Sequence, residues 1–145
     1  MKTQVLLVLA VLVAAAVLAC SGKPGRQAGT TTVEVPIDDV LQHSVIGRDV
    51  AVAVGDTLKV TLGSNHTTPY RWTPDAKIAD ATILRQTGHE YLRPKSDLMG
   101  APGTEVWIFD VLRAGTTTIV TDYTGIVGSD PAPLCTFTAR VTVRR

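Results

Sequence analysis

Three histidines and two cysteines are the residues of this chain best suited to metal or nucleophile chemistry, and their placement argues against both. A zinc site needs imidazole or thiolate ligands at close, recurring spacing. His43, His66 and His89 are widely separated and form no His-x-x-x-His pair, and Cys20 and Cys135 stand far apart. No Gly-x-Ser-x-Gly elbow and no Gly-rich loop opening a helix occurs. His89 and Glu90 are adjacent, but neighbours on a strand point to opposite faces. The paired carboxylates Asp38 and Asp39 read as a solvated turn. The chain is therefore read as a non-enzyme with no metal, no cofactor and no small-molecule substrate. The remaining chemistry is that of binding. Asn65-His66-Thr67-Thr68-Pro69-Tyr70-Arg71-Trp72 is polar and turn-forming for five residues, then aromatic at alternate positions. This reads as an exposed loop feeding a strand whose aromatic residues anchor it to the body of the protein.

The elements that must hold this loop are strands. Val50, Val52 and Val54 alternate with alanines, Gly55-Asp56 turns, and Leu58, Val60 and Leu62 alternate with Thr57, Lys59 and Thr61. Tyr70 and Trp72 flank Arg71, residues 83–92 form a weaker strand candidate, and residues 106–112 are apolar on both faces, as a central strand would be. After the break at Gly115, residues 116–123 resume with β-branched side chains. The closing run alternates Cys135, Phe137, Ala139, Val141 and Val143 with polar residues. Short alternating runs separated by Gly, Pro and Asp turns predict an all-β, immunoglobulin-like sandwich of seven to eight strands. Trp72, Trp107 and Phe137 are expected at least partly buried, and residues 38–43 could form one helical turn. Cys135, on the inward phase, reads as a small buried hydrophobe rather than a reactive thiol. Three connections suit a binding edge at one end of the sandwich: residues 64–69, 97–104 and 124–133. Composition alone would also allow these to be plain turns.

Residues 1–19 read as a secretory signal. Lys2 opens it, and the apolar run over residues 5–18 is too short to span a bilayer, which takes about 20 apolar residues. The run ends Val17-Leu18-Ala19-Cys20, which resembles a bacterial lipobox, so Cys20 is expected to be cleaved to the N-terminus and lipidated; an ordinary signal peptide with a chance Cys is the alternative. Residues 20–32, small and polar, then form a flexible tether, and 33–145 the folded domain. This address puts the protein on the cell membrane, lipid-anchored and facing outside the cytoplasm. Without Lys2, 13 basic residues balance 13 acidic ones, and no basic stripe with interleaved aromatics points to nucleic acid.

The ordered segments resemble the chagasin-like inhibitors of papain-type cysteine proteases. Gly55-Asp56-Thr57-Leu58 followed by residues 65–72 resembles the early half of such a domain, with its Asn-x-Thr-Thr-Gly-Tyr-x-Trp loop. Gly100-x-x-Gly103 before Val106, Ile108 and Phe109 resembles the Gly-rich second loop and its strand. Ala114-Gly115-Thr116 and the closing strand fit as well, so the resemblance covers residues 46–143. It implies a proteinaceous inhibitor that wedges three loops into a papain-type active-site cleft. In this role Thr67 and Thr68, flanked by Asn65, His66 and Pro69, meet the catalytic Cys–His pair. The Gly100-Ala101-Pro102-Gly103 loop pairs edge-on through its main chain, as strand addition does. Two departures stand out. Pro69 replaces a Gly, and Gly125-Ile126-Val127 stands where the family carries Arg-Pro-Trp. The second departure keeps an alternative open: a non-inhibitory envelope protein-interaction module on the same fold. An enzyme-like or ligand-carrying lipoprotein is a third reading, which would need a pocket of convergent polar groups away from the loops.

Overall fold

A computed structural model describes residues 25–128 and 132–145. The signal segment, Cys20 and residues 129–131 of the third loop lie outside the described residues.

In chain order the elements are β1 (Thr30–Val35), α1 (Ile37–Gln42), β2 (Val45–Ala53), β3 (Thr57–Ser64), β4 (Tyr70–Trp72), β5 (Lys77–Ile78), β6 (Leu84–Leu92), β7 (Gly103–Val111), β8 (Gly115–Gly125) and β9 (Cys135–Arg144). One sheet has the order β1-β3-β7-β6 and the other β2-β9-β8-β4, with β5 also paired to β8. Period-two alternation puts one face of each sheet inside. Leu58, Val60, Leu62 and Phe109 meet Ile119, Tyr123, Phe137, Ala139 and Val141 in one core. Trp72, Trp107 and Phe137 are buried, and Cys135 is fully buried, its thiol pushed up by burial first and by Asp122 second. The all-β sandwich expected from the alternation is thus present, with β7 central in its sheet. The turn expected over residues 38–43 is α1, which buries Val40 and lies so close on β3 that a Cβ at Gly63 would overlap the Ile37 backbone.

The strand number is a correction: nine among the described residues, against the seven to eight expected. The two extra strands carry little apolar rhythm. β5 has two residues, set against Val120 and Ile119 of β8. β1 is threonine-rich and runs parallel to β3, Thr30 beside Thr57 and Val35 beside Leu62. It also takes Thr30 to Thr32 out of the expected tether. The cause lies at the β2–β3 turn. There the buried Asp56 carboxylate accepts bonds from Arg26 Nη2 at 2.9 Å, Gly29 N at 2.9 Å and Ala53 N at 3.0 Å. These donors, Arg26 foremost, hold its carboxyl well below the usual carboxylate range and clip the incoming chain to the turn. β2 likewise begins at Val45, five residues before the alternation starts, because it pairs in parallel with β9 from Thr136 onward. The weak rhythm over residues 83–92 also has a cause: β6 has a bulge between Gln86 and Gly88 that shifts its register on β7.

Candidate functional site

β3 ends at Ser64, paired with Gly103 at the start of β7, so the first and second loops leave the same end of one sheet. β4 begins at Tyr70, paired with Gly125 at the end of β8, so the third loop leaves beside the first. An aromatic cluster supports this end. Trp72 stacks on Tyr123 with ring centroids 5.0 Å apart and meets Trp107 edge-on at 6.3 Å. Trp72 Nε1 donates to the Gly63 carbonyl at 2.9 Å, which ties β4 to the strand entering the loop. Tyr123 carries the support upward, its hydroxyl accepting the Asn65 N–H at 3.1 Å.

Asn65 organises the first loop. Its Oδ1 accepts the Thr67 N–H at 3.1 Å and the Thr67 hydroxyl at 2.6 Å, an Asx turn. Its carbonyl accepts the Thr68 N–H at 3.1 Å and the Thr68 hydroxyl at 2.7 Å. Arg71 closes the loop from behind: Nη1 donates to the Thr68 and Tyr70 carbonyls, both at 2.7 Å, and Nη2 to the His66 carbonyl at 3.1 Å. The loop therefore satisfies its own backbone and keeps Thr67 and Pro69 exposed at the tip, with Thr68 half-buried beside them.

Two bonds join the three loops into one edge. Asn65 Nδ2 donates to the Gly100 carbonyl at 3.2 Å, and Ile126 N donates to the Pro69 carbonyl at 2.8 Å. Flanking the threonine tip, Met99 is fully exposed, Leu98 is 78% exposed, and Ile126 and Val127 are 62% and 76% exposed. The edge has a polar centre between two apolar shoulders. Ala101 is half-buried and Pro102 exposed between the shoulders and β7.

The glycines and Pro69 sort by cause. Among the described residues no non-glycine has positive φ, so position 69 needs no glycine and accommodates Pro. Gly100 has φ 78°, with open space around its Cβ position, so glycine is required there by conformation. Gly103 differs from the surface role expected of it: it is buried, and a Cβ would overlap the Leu92 carbonyl and the Tyr91 hydroxyl. Its bareness serves internal packing. Gly125 could bear a side chain, since the nearest atom to a Cβ there is the Val127 carbonyl at 3.7 Å.

His66 turns inward. Its ring stacks on Tyr91 at 3.5 Å and 8°. Its Nε2 lies 3.9 Å from Oε2 of Glu105, a buried residue of β7 whose Oε1 lies 3.2 Å from His89 Nε2. Burial holds His66 below the ordinary histidine range; Arg71 and, less, His89 act the same way, and Glu105 opposes them. Sequence reading missed Arg71 and Glu105, and placed Leu98 and Met99 in the second candidate loop without singling them out. Leu98–Met99 had a signal, an apolar pair inside a polar loop. Glu105 had none, because its partners come from the first loop and from β6.

The sequence profile described as Chagasin family peptidase inhibitor I42 matches residues 51–141. No curated protein matches the chain. Among solved structures, the cysteine protease inhibitor EhICP2 from Entamoeba histolytica is similar, with a TM-score of 0.58 at 18% identity, over 83% of this chain and 100% of that one. Amebosin gives 0.53 at 21% identity, over 82% and 100%. PbICP-C, solved in complex with falcipain-2, gives 0.53 at 16% identity, over 81% and 100%. At these identities the structures speak for the fold, and the profile, spanning most of the sandwich with the tip and both shoulders inside it, speaks for the family. The chain belongs to the chagasin family of peptidase inhibitors, a family of non-enzymatic proteins.

Proposed function

We propose that this protein inhibits papain-type cysteine proteases by inserting its three-loop edge into the active-site cleft. The observation that carries the reading is the pair of bonds from Asn65 to Gly100 and from Ile126 to Pro69, which fuse three separate loops into one preorganised surface. A surface already ordered loses little conformational entropy on binding. Thr67 leads into the cleft; Thr68 and Asn65 hold its backbone; Gly100 lets the second loop approach by its main chain; the apolar residues at 98–99 and 126–127 cover the cleft walls. The similar PbICP-C, solved bound to falcipain-2, supports a protease as partner. The expected lipidation of Cys20 completes the proposal: the inhibitor is held on the outer side of the cell membrane.

The test is titration of the protein against a panel of papain-type proteases. Stoichiometric, reversible inhibition without cleavage of the first loop is expected. The replacement of Arg-Pro-Trp by Gly125-Ile126-Val127 favours a second reading, the interaction module without inhibition, and inactivity against the whole panel by a folded sample would select it.

A further inference from the structure

Beneath the threonine tip lies a group that the three-loop edge does not itself explain. His66 belongs to the first loop by sequence, yet its side chain points into the body, against β6 and β7 at the loop end of the same sheet. Tyr91 of β6 stacks on one face of the ring, and the Tyr91 hydroxyl fills the space that Gly103 leaves bare. Glu105 of β7 and His89 of β6 lie at its inner edge, and Arg71 of β4 lies behind it, holding the His66 carbonyl. Among the described residues, His66 Nε2 and Glu105 Oε2 are both buried atoms without a hydrogen-bond partner, and they face each other at 3.9 Å.

We propose that His66 is the positioning residue of the first loop, and that its protonation at mildly acidic pH releases the Thr67–Thr68 tip and weakens inhibition. The inference rests on the inhibitor reading above and adds a regulation to it. As a neutral ring, His66 packs on Tyr91 and lets Arg71 sit close behind, which fixes the height of the two residues that follow. As an imidazolium it faces the guanidinium of Arg71, while the one carboxylate of Glu105 already lies 3.2 Å from His89 Nε2. The separation from Oε2 is too long for a hydrogen bond to offset the lost hydration. The titration of His66 points the same way. A histidine held below its free range favours the neutral form in place, so the docked loop is fully stable above about pH 6.5 and loses stability as pH falls below it. One proton limits the effect to about tenfold per pH unit.

The experiment uses the full chain and two readouts. Amide hydrogen exchange of Thr67 and Thr68, both bonded to Asn65, gives the loop's protection without any protease. Corrected for the intrinsic rate, protection should fall between about pH 7.5 and about pH 5, by no more than the roughly thirtyfold that uptake of one proton with a free midpoint of about 6.5 allows. In His66→Phe, which keeps the stack on Tyr91 and cannot titrate, it should stay level. Inhibition of one papain-type protease, read as the ratio of wild type to His66→Phe at each pH, should diverge only on the acid side, which cancels the protease's own pH dependence. Parallel profiles in the two proteins would overturn the proposal. Should His66→Phe fail to fold, the imidazole proton resonances of the wild type decide: a His66 midpoint at or above about 6.5 refutes it, and one below, accompanied by the fall in protection, supports it. Failure of inhibition with the exchange result intact would sink the inhibitor reading alone; level protection with normal inhibition would sink the pH device alone.

Discussion

Replacing Val127 by Trp should strengthen inhibition by about thirtyfold, and should do so better than grafting the whole Arg-Pro-Trp segment. Val127 is 76% exposed on the shoulder beside the threonine tip. A Trp side chain can bury about 150–250 Å², a gross gain of about 4–6 kcal/mol at about 25 cal/mol per Å². Ordering one such side chain costs about 0.5–1.5 kcal/mol, and the contact Val127 already makes is lost. A net gain of about 2 kcal/mol, the lower edge of hot-spot behaviour, converts to about thirtyfold in affinity. The graft adds Gly125→Arg, for which there is room, and Ile126→Pro, for which there is a penalty. Pro has no N–H, so it would delete the bond from Ile126 N to the Pro69 carbonyl. That bond is worth about 1 kcal/mol, and it holds the third loop to the first. Inhibition constants of wild type, single and triple variants against one papain-type protease, with melting curves alongside, settle the matter. Unchanged inhibition by a folded Val127→Trp would place this shoulder outside the contact. A triple variant better than the single would show that the Ile126–Pro69 bond is not what registers the two loops.

Three further outcomes are expected. Thr67→Glu puts a charge and extra bulk at the exposed tip; inhibition should be lost with little change in melting temperature, and retained inhibition would remove the tip from the contact. Trp72→Ala should lower stability by about 3–5 kcal/mol in denaturant unfolding, since the ring is buried between Tyr123 and Trp107 and its Nε1 satisfies the Gly63 carbonyl; a loss under about 1 kcal/mol would contradict this packing. Asp56→Asn should lower the melting temperature at neutral pH and flatten its fall in acid. Because the native carboxyl is held below the usual range, its contribution is present above about pH 4 and is lost as pH drops further; equal acid sensitivity in the two proteins would refute that role.

The strands that sequence shows best are those with one buried and one solvated face. β3, β8 and β9 alternate cleanly, and β7 announced itself as central by being apolar on both faces. β1 escaped because Thr30, Thr31 and Thr32 carry no apolar signal and are held by pairing to β3 and by a carboxylate at Asp56, far away in sequence. The loops were legible through turn residues and aromatic anchors. Their joining was not, since Asn65 reaches Gly100 and Ile126 reaches Pro69 across gaps that no periodicity encodes. Arg71 looked like an ordinary outward residue between two aromatics, and only the fold shows it gripping three carbonyls. Gly103 shows the reverse error: a glycine expected to meet a partner's backbone instead makes room for Tyr91 and Leu92.

The direction of β1 sets which way the molecule looks. The chain enters beside the Asp56 turn and runs toward the loop end in step with β3, from Thr57 to Leu62. The point of entry and the threonine tip are thus at opposite poles, separated by the length of β3, about 26 Å for eight residues at about 3.3 Å each. On the proposal that Cys20 carries the lipid, five residues of sequence separate it from Arg26, so the Asp56 pole would face the bilayer and the loops would stand off from it like a mast head. A protease approaching from outside would then meet the wedge first, whereas one embedded in the same membrane, with its cleft near the lipid surface, would be out of reach.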